Sequence, residues 1–221
     1  MSTEPPARTP LTRERIVRAA LALVDEAGLG ALTMRRLGAE LGVEAMSLYK
    51  HVAGKEAILD GIRELLIAEF AATLPPGPAT GWRDDLARFA RAYRSVGRAH
   101  PEAFALLASA PGRAYVAGSG LAEQALERLV AEGLGREDAI RAQRTVTRFV
   151  LGTSLLERAA GEAPSPVGEP ELAALSADRP LLGDLMRALG TSTDDALFEF
   201  GLEALLGGIG LMVAGASAPG G

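Results

Sequence analysis

The stretch "LGVEAMSLYKHVAGKEAIL", residues 41–59, decides how the N-terminal part of this 221-residue chain folds. A glycine turn opens it, and the apolar spacing that follows, from Glu44 to Val52, predicts a helix of about six to eight residues. Its polar positions hold serine, tyrosine, lysine and histidine instead of the Glu/Lys pairs typical of a solvated helix. The purpose of so short a helix follows from its neighbours in the sequence.

Two capped helices precede this stretch. Thr12 has the position of an N-cap for a first helix that ends at Gly28, and Thr33 caps a second helix, 34–41, which Gly42 stops. A longer fourth helix is expected from Lys55 to about residue 72. Its inward positions are Ile58, Leu59, Ile62, Leu65, Leu66 and Phe70.

The remainder of the chain also has helical spacing throughout. Aromatic residues make up only 5%, and alanine, leucine, arginine and glutamate recur at intervals of three and four, so the fold class is all-α. Further helices are expected at 82–99, 101–109, 119–132, 136–161, 171–175, 181–189 and 194–214. We expect a helix-turn-helix domain at 11–54, a helical ligand-binding and dimerisation domain at 55–214, and flexible tails at 1–10 and 215–221.

A short third helix after a capped second helix and a glycine turn is the helix-turn-helix pattern. Leu37, Leu48 and Val52 have the spacing to pack inward, which leaves the polar side of the third helix outside. Such a helix fits the DNA major groove, which is about 12 Å wide, and can present side chains to base edges and phosphates.

Composition and charge limit the other possibilities. With no cysteine and only two histidines, the chain offers neither disulfides nor thiolate metal sites, and we expect no metal and no cofactor. The first ten residues lack the pattern of a secretory signal, and the apolar tract at 204–214 falls short of a membrane span of about 20 residues. The net charge of −5 belongs to the C-terminal part, since residues 1–60 are balanced. We therefore expect a cytoplasmic protein without a membrane partner.

Residues 11–62 resemble the DNA-binding domain of TetR-type transcriptional regulators, through the Thr33 cap, Gly42-Val43, Leu48-Tyr49, His51-Val52 and Lys55. More weakly, 147–162 and 195–210 are similar to two helices that pair across the dimer in the tetracycline-repressor class. The resemblance implies double-stranded operator DNA as a partner. The residues it assigns to DNA binding are Thr33, Arg35, Ala45, Met46, Ser47, Tyr49, Lys50, His51 and Lys55.

Several of these assignments have a structural alternative. Tyr49 can belong to the core, and His51 can cap the end of the third helix. Arg35 can form an ordinary surface pair with Glu40, and Lys50 can simply be solvated. Ala45 and Met46 replace a polar residue and a proline of the resembled class, so we expect a different operator sequence.

Glycine is dense in the two long C-terminal helices. Since glycine costs roughly 1 kcal/mol inside a helix, we expect close helix approach in a homodimer, in which a two-fold axis builds a four-helix interface. Packing inside one chain is the alternative. The interface residues expected are Phe149, Gly152, Leu156, Phe198, Gly201, Leu202 and Leu205.

The resemblance also implies a pocket for a small-molecule effector. Ala71 and Phe89 stand where the class has a metal-associated histidine and a polar amide, so we expect an apolar effector bound without a metal. The candidate ligand-binding residues are Phe70, Phe89, Tyr93, Phe104, Leu107, Gln143, Thr147, Leu151 and Met186.

The sequence thus favours a ligand-responsive, homodimeric repressor released from its operator by a small apolar molecule. A helical adaptor or dimerisation protein that does not bind DNA is an alternative. A small helical enzyme is a further alternative, but we find no nucleophile with a base, no metal cluster and no phosphate-binding loop, so we predict no catalytic residues and no enzyme.

Overall fold

The computed structural model describes residues 10–77, 79–162, 168–188 and 195–216. Of the predicted tails, only residues 10, 215 and 216 lie in this part. Its α-helices are α1 Arg13–Ala27, α2 Met34–Glu40, α3 Ala45–Leu48, α4 Lys55–Thr73, α5 Trp82–Ala99, α6 Pro101–Ser109, α7 Pro111–Ala117, α8 Ser119–Ala131, α9 Arg136–Glu162, α10 Glu169–Asp178, α11 Pro180–Ala188 and α12 Asp195–Ala216. No strand occurs in the residues described, which confirms the all-α fold class.

The chain divides into two compact units. The first comprises Met1–Glu69 and Glu102–Gly118, and the second comprises Phe70–Pro101 and Ser119–Gly221. The first unit therefore holds α1 to α3, most of α4, nearly all of α6 and all of α7. The second unit holds α5 and α8 to α12.

Local capping explains where the first helices begin. The Thr12 hydroxyl accepts a hydrogen bond from the Arg15 backbone N–H at 3.2 Å, and the Thr33 hydroxyl accepts one from the Arg36 N–H at the same distance. Gly28, which follows α1, has a positive φ of 77°. The bounds predicted for α1, α2 and α4 are confirmed to within one residue.

Helix α3 is shorter than expected. It covers only Ala45–Leu48, because the Lys50 and His51 N–H groups bond to the carbonyls three residues earlier and tighten the chain into a turn. The turn brings Val52 back into the core. Tyr49, Lys50 and His51 consequently lie on the turn that ends α3 and not in the helix body.

Helix α7 was not predicted. It begins with Pro111 and Gly112, which read as a turn, and Pro111 occupies the first helical position, where a missing N–H costs nothing. The pieces predicted at 171–175 and 181–189 form a helical pair, α10 and α11, of which residue 189 lies outside the described part.

Each unit has its own core. In the first unit, α1 and α4 approach so closely that a Cβ on Gly61 would lie 2.6 Å from a methyl of Val17. The first core includes Ile16, Leu37, Leu48, Ile58 and Ile62. In the second unit α5, α9 and α12 pack together. Its core includes Leu86, Val96, Val146, Val150 and Leu202.

One helix of the described chain, residues 195–214 of α12, is long and apolar enough by length and composition to cross a membrane. The apolar tract at 204–214 thus lies within a longer helix that passes this test by length and composition. Glu199 and Glu203 of α12 nevertheless pair with arginines of α5 in the same unit, and buried Leu202 and Leu206 pack in that unit's core. These contacts show that α12 packs as a helix of the second unit.

Candidate functional site

The turn between α2 and α3 is built on two glycines. Gly42 has a φ of 67°, which a residue with a side chain rarely adopts. Gly38 is buried in α2, and a Cβ there would lie 2.9 Å from the Val43 carbonyl oxygen and 3.2 Å from the Ala45 nitrogen. The Val43 N–H donates to the Gly38 carbonyl at 2.9 Å. Close backbone contact at Gly38 therefore determines how α3 is held against α2.

Opposite the core, α3 and its turn present an exposed surface. Leu48 is fully buried, whereas Met46 is 71% exposed and Tyr49 is 49% exposed. Of the other predicted DNA-binding residues, Ala45 and Ser47 are partly buried, and Thr33, Arg35, Lys50, His51 and Lys55 are exposed. We call these nine residues the reading face. Eight of them lie in the helix-turn-helix, and Lys55 is the first residue of α4.

The cations of the reading face are available for a ligand. Within the described residues, none of the three cations Arg35, Lys50 and Lys55 forms an ion pair. On α1, by contrast, Arg13 pairs with Glu64 and Arg18 pairs with Glu14. Unpaired exposed cations beside an exposed tyrosine form a suitable surface for phosphates.

These observations decide two of the alternatives. Tyr49 is not a core residue, since half of its surface is exposed. Arg35 and Glu40 form no ion pair among the residues described, so an ordinary surface pair does not account for Arg35.

Further contacts tie α4 to α6 and α7 within the first unit. Arg63 of α4 is buried, and it donates to the Leu106 carbonyl at 3.4 Å and to Asp60 at 2.7 Å. Asp60 also pairs with Arg113 of α7, and the hydrogen bond from Arg113, with that from Arg63, lowers the pKa of the Asp60 carboxyl. No local pattern in the sequence predicts this link, because Arg63 and Leu106 lie 43 residues apart.

Three of the predicted ligand-binding residues form an aromatic cluster in the second unit. The rings of Phe70, Phe89 and Tyr93 have centroids 5.3 to 5.5 Å apart, with Phe70 edge-on to the other two. Of the other candidates in this unit, Gln143 is buried, and Thr147, Leu151 and Met186 are partly buried. Phe104 and Leu107 are buried in α6 and belong to the first unit.

The predicted interface residues separate into two groups. Phe198 and Leu202 are buried in the core of their own unit, where the Phe198 ring stacks on Phe149 at 5.3 Å, so for these two residues the structure favours the alternative, packing inside one chain, over the predicted interface. A Cβ on Gly201 would lie 2.8 Å from the Phe149 ring, so Gly201 makes room for packing inside one chain. Leu205 is partly buried.

The second group lies on the surface. Gly152 has no heavy atom within 4 Å of the position a Cβ would take, and Leu156, one turn further along α9, is 72% exposed. On α12 the exposed apolar residues recur at helical spacing. Met212 is also exposed, but Leu197, Phe200 and Leu211 follow one stripe, with Ala204 and Gly208 between them. We call these residues, with Gly152 and Leu156, the open face.

The two units and their surfaces define a class of protein: an all-helical, two-unit protein with an N-terminal helix-turn-helix whose cationic reading face is suited to DNA. Residues 16–62 match the family described as bacterial regulatory proteins, tetR family. Residues 74–213 match the tetracyclin repressor-like C-terminal domain. The chain belongs to the TetR family of bacterial regulatory proteins.

Known proteins resemble the chain over nearly its whole length. The class A tetracycline repressor of transposon 1721 from Escherichia coli is 33% identical over 203 residues, which cover 91% of each chain. Among solved structures, Streptomyces coelicolor ActR in complex with actinorhodin has a TM-score of 0.71 at 27% identity, covering 95% of this chain and all of ActR. BioQ with its double-stranded DNA operator has a TM-score of 0.64 at 25% identity, covering 90% of this chain and 98% of BioQ.

Proposed function

We propose that this protein is a homodimeric, ligand-responsive transcriptional repressor that binds a pseudo-palindromic operator and is released by a small apolar molecule. The observation that carries the DNA-binding part is the exposed reading face, whose cations form no ion pairs in the described chain. Family membership and the neighbours solved with an operator or a small molecule support the same function.

On the reading face, side-chain chemistry suggests separate roles. Met46 and Ala45 can touch only apolar groups such as a thymine methyl, whereas Ser47, Lys50 and Arg35 can bond base edges or phosphates. Tyr49, Lys55, His51 and Thr33 are exposed and carry polar groups that can bond phosphates. The short α3 then serves to present its first residues at the groove floor.

Replacing Lys55 with alanine is expected to weaken operator binding about equally across operator sequences. A lost phosphate contact removes counterion release, so the slope of log affinity against log salt should fall by about one per subunit, or about two per dimer. Fluorescence anisotropy with operator fragments selected from genomic DNA measures both quantities.

Arg18→Ala is the matched control, because Arg18 is an exposed cation of the same unit that already pairs with Glu14. It should leave the salt slope unchanged. If the wild-type protein shows no preference for any selected fragment over bulk DNA at moderate salt, the proposed function fails.

The open face supports the dimer. Leu156, Leu197, Phe200 and Leu211 are large apolar side chains, and each is more than 60% exposed in the single chain. Side chains of this kind gathered on two neighbouring helices mark an association surface. A second copy placed by a two-fold axis would cover them, and the dimer would carry two reading faces, one for each half-site.

For the effector we propose an apolar or aromatic small molecule. The contacts among Phe70, Phe89 and Tyr93 support this choice, since side chains clustered in this way form an aromatic, largely apolar environment, which suits an apolar ligand. No group of three or more histidine, cysteine or acidic residues in the described chain is arranged to hold a metal ion.

Helix α4 is the proposed route between effector and DNA. It begins at Lys55 on the reading face, and through Arg63 and Asp60 it is bonded to α6 and α7. Phe104 and Leu107, two candidate effector residues, lie on α6. A displacement of α6 would therefore move α4 and the reading face with it.

The Arg63→Met variant is expected to interrupt this route. Losing the bonds of a buried guanidinium to Leu106 and Asp60 should cost about 1–3 kcal/mol of unfolding free energy. In hydrogen exchange, the operator should protect amides of both α4 and α6 in the wild type, but only those of α4 in the variant. Arg13→Met, which removes an exposed ion pair to α4, is the control and should retain both effects. Equal protection of α6 in both variants would show that Arg63 does not transmit the signal.

The known relatives are bacterial regulators, and we infer that this chain likewise acts in the cytoplasm, where bacterial DNA lies, and catalyses no reaction. An adaptor without DNA binding is not favoured, because it would not require an unpaired cationic reading face. Undiminished operator affinity of a Tyr49→Ala, Lys55→Ala double variant would favour the adaptor instead.

A further inference from the structure

Helix α12 has three distinct faces. Acidic residues Asp195, Glu199 and Glu203 recur every four positions along one of them. A second is buried and includes Phe198, Leu202 and Leu206, and the third is the open face. Since the faces are fixed on one helix, whatever holds the acidic face also determines the direction in which the open face points.

Arginines of α5 hold the acidic face in antiparallel order. Arg83 pairs with Glu203 at 2.6 Å, and Arg91 bonds Glu199 through two nitrogens at 2.9 and 2.6 Å. At the far end Arg94 and Arg98 share Asp195, the first residue of α12. The Arg91 and Arg98 hydrogen bonds lower the pKa of the Glu199 and Asp195 carboxyls respectively, consistent with stable pairing.

Arg94 differs from the other arginines in this series. Its side chain is buried, whereas those of Arg83 and Arg91 are about half exposed. It bonds Asp195 of α12 at 2.9 Å and also Glu157 of α9, while its guanidinium lies 4.1 Å from the Phe198 ring centroid. One planar cation therefore joins α5, α9 and α12.

The contacts continue toward the open face. The Phe198 ring below Arg94 stacks on Phe149 of α9, and Phe149 fills the space above Gly201 of α12. Leu156, on α9 next to Glu157, and Leu197, on α12 next to Phe198, both belong to the open face. The relative placement of these two helices thus depends on the group between them.

We propose that Arg94 is a positioning residue for subunit association, which sets α9 and α12 so that their open faces form one surface for a second copy of this chain. This inference rests on the proposed homodimer. Arg94 follows Tyr93 of the aromatic cluster, so the helix that bears candidate effector residues also sets the dimer surface. A shift of α5 would then alter subunit association as well.

Sedimentation velocity of the full chain, without DNA or effector, tests the proposal. Arg94→Met should raise the dimer dissociation constant by about 30-fold or more, because Glu157 and Asp195 lose their shared buried partner and keep only the partly exposed Arg98. Arg94→Lys keeps the charge without the planar fork and should recover part of the loss. Arg83→Met removes an exposed ion pair between α5 and α12 and should change the dissociation constant less than about threefold.

Each outcome has a distinct meaning. Equal dimer affinity of wild type and Arg94→Met, or equal weakening by Arg94→Met and Arg83→Met, would overturn the positioning role. If Arg94→Met loses its helical circular dichroism signal, the variant Asp195→Asn is used in its place. The Asp195 side chain is largely exposed, and its replacement should weaken the dimer by at least about threefold. A dimer unaffected by Asp195→Asn would also count against the proposal. A wild-type monomer at micromolar concentration would instead refute the proposed homodimer.

Discussion

Replacing Gly38 with valine is expected to abolish operator binding, with an affinity loss above about 100-fold, or about 2.7 kcal/mol. A Cβ at this position would lie 2.9 Å from the Val43 carbonyl oxygen, which belongs to the backbone and cannot rotate away. Valine adds two more carbons, so α3 must move away from α2. Since base contacts require hydrogen-bond distances, a shift of about 1 Å in the reading face is enough to lose them.

The matched control for this variant is Gly30→Val. Gly30 is exposed, has no positive φ, and has no heavy atom within 4 Å of the position a Cβ would take. Anisotropy with a selected operator fragment measures affinity, and circular dichroism checks that both variants remain helical. Operator binding by Gly38→Val within about threefold of wild type would show that the α2–α3 contact does not govern recognition.

Replacing Phe200 with glutamate should separate the subunits. Phe200 is 73% exposed in the single chain, so its own unit loses little packing, but in the proposed dimer the new carboxylate would be buried twice without a partner. We expect the dimer dissociation constant to rise by about 100-fold or more. Operator affinity should fall with it, because two half-sites are then no longer bound by one molecule.

Sedimentation velocity and operator anisotropy measure the two effects of Phe200→Glu. Val116→Glu is the control, because Val116 is equally exposed but lies on α7, in the other unit. It should leave the subunits associated. A stable dimer of Phe200→Glu at micromolar concentration would place the subunit interface elsewhere than the open face.

Local patterns in the sequence predicted most of the helices, because caps and apolar spacing act between residues a few positions apart. Thr12 and Thr33 mark the starts of α1 and α2, and both cap bonds are present. Two elements differ from these predictions because their local signals conflict. Helix α7 begins with a Pro-Gly pair that also suits a turn, and α3 ends early because Val52 must turn into the core.

The alternation of Leu48 with its polar neighbours separates the inside of the third helix from its outside, whereas Thr33, Arg35 and Lys55 were assigned through the resemblance to the family. The glycines of the long C-terminal helices were harder to interpret. Gly152 and Gly201 have the same local appearance, yet Gly152 lies on the open face while Gly201 makes room for Phe149. A glycine in a helix permits close packing, but the sequence does not show whether a residue of the same chain packs against it.

The amino-acid sequence by itself determined the helical class and the outward residues of the helix-turn-helix, because these depend on short-range spacing and capping, and its resemblance to known regulators indicated the family. Only the tertiary structure decided which charges meet. Arg94 lies 63 residues from Glu157 and 101 from Asp195, and Arg63 lies 43 from Leu106. Long-range pairs of this kind form only when packing of the apolar faces has brought the helices together, so no local pattern specifies them.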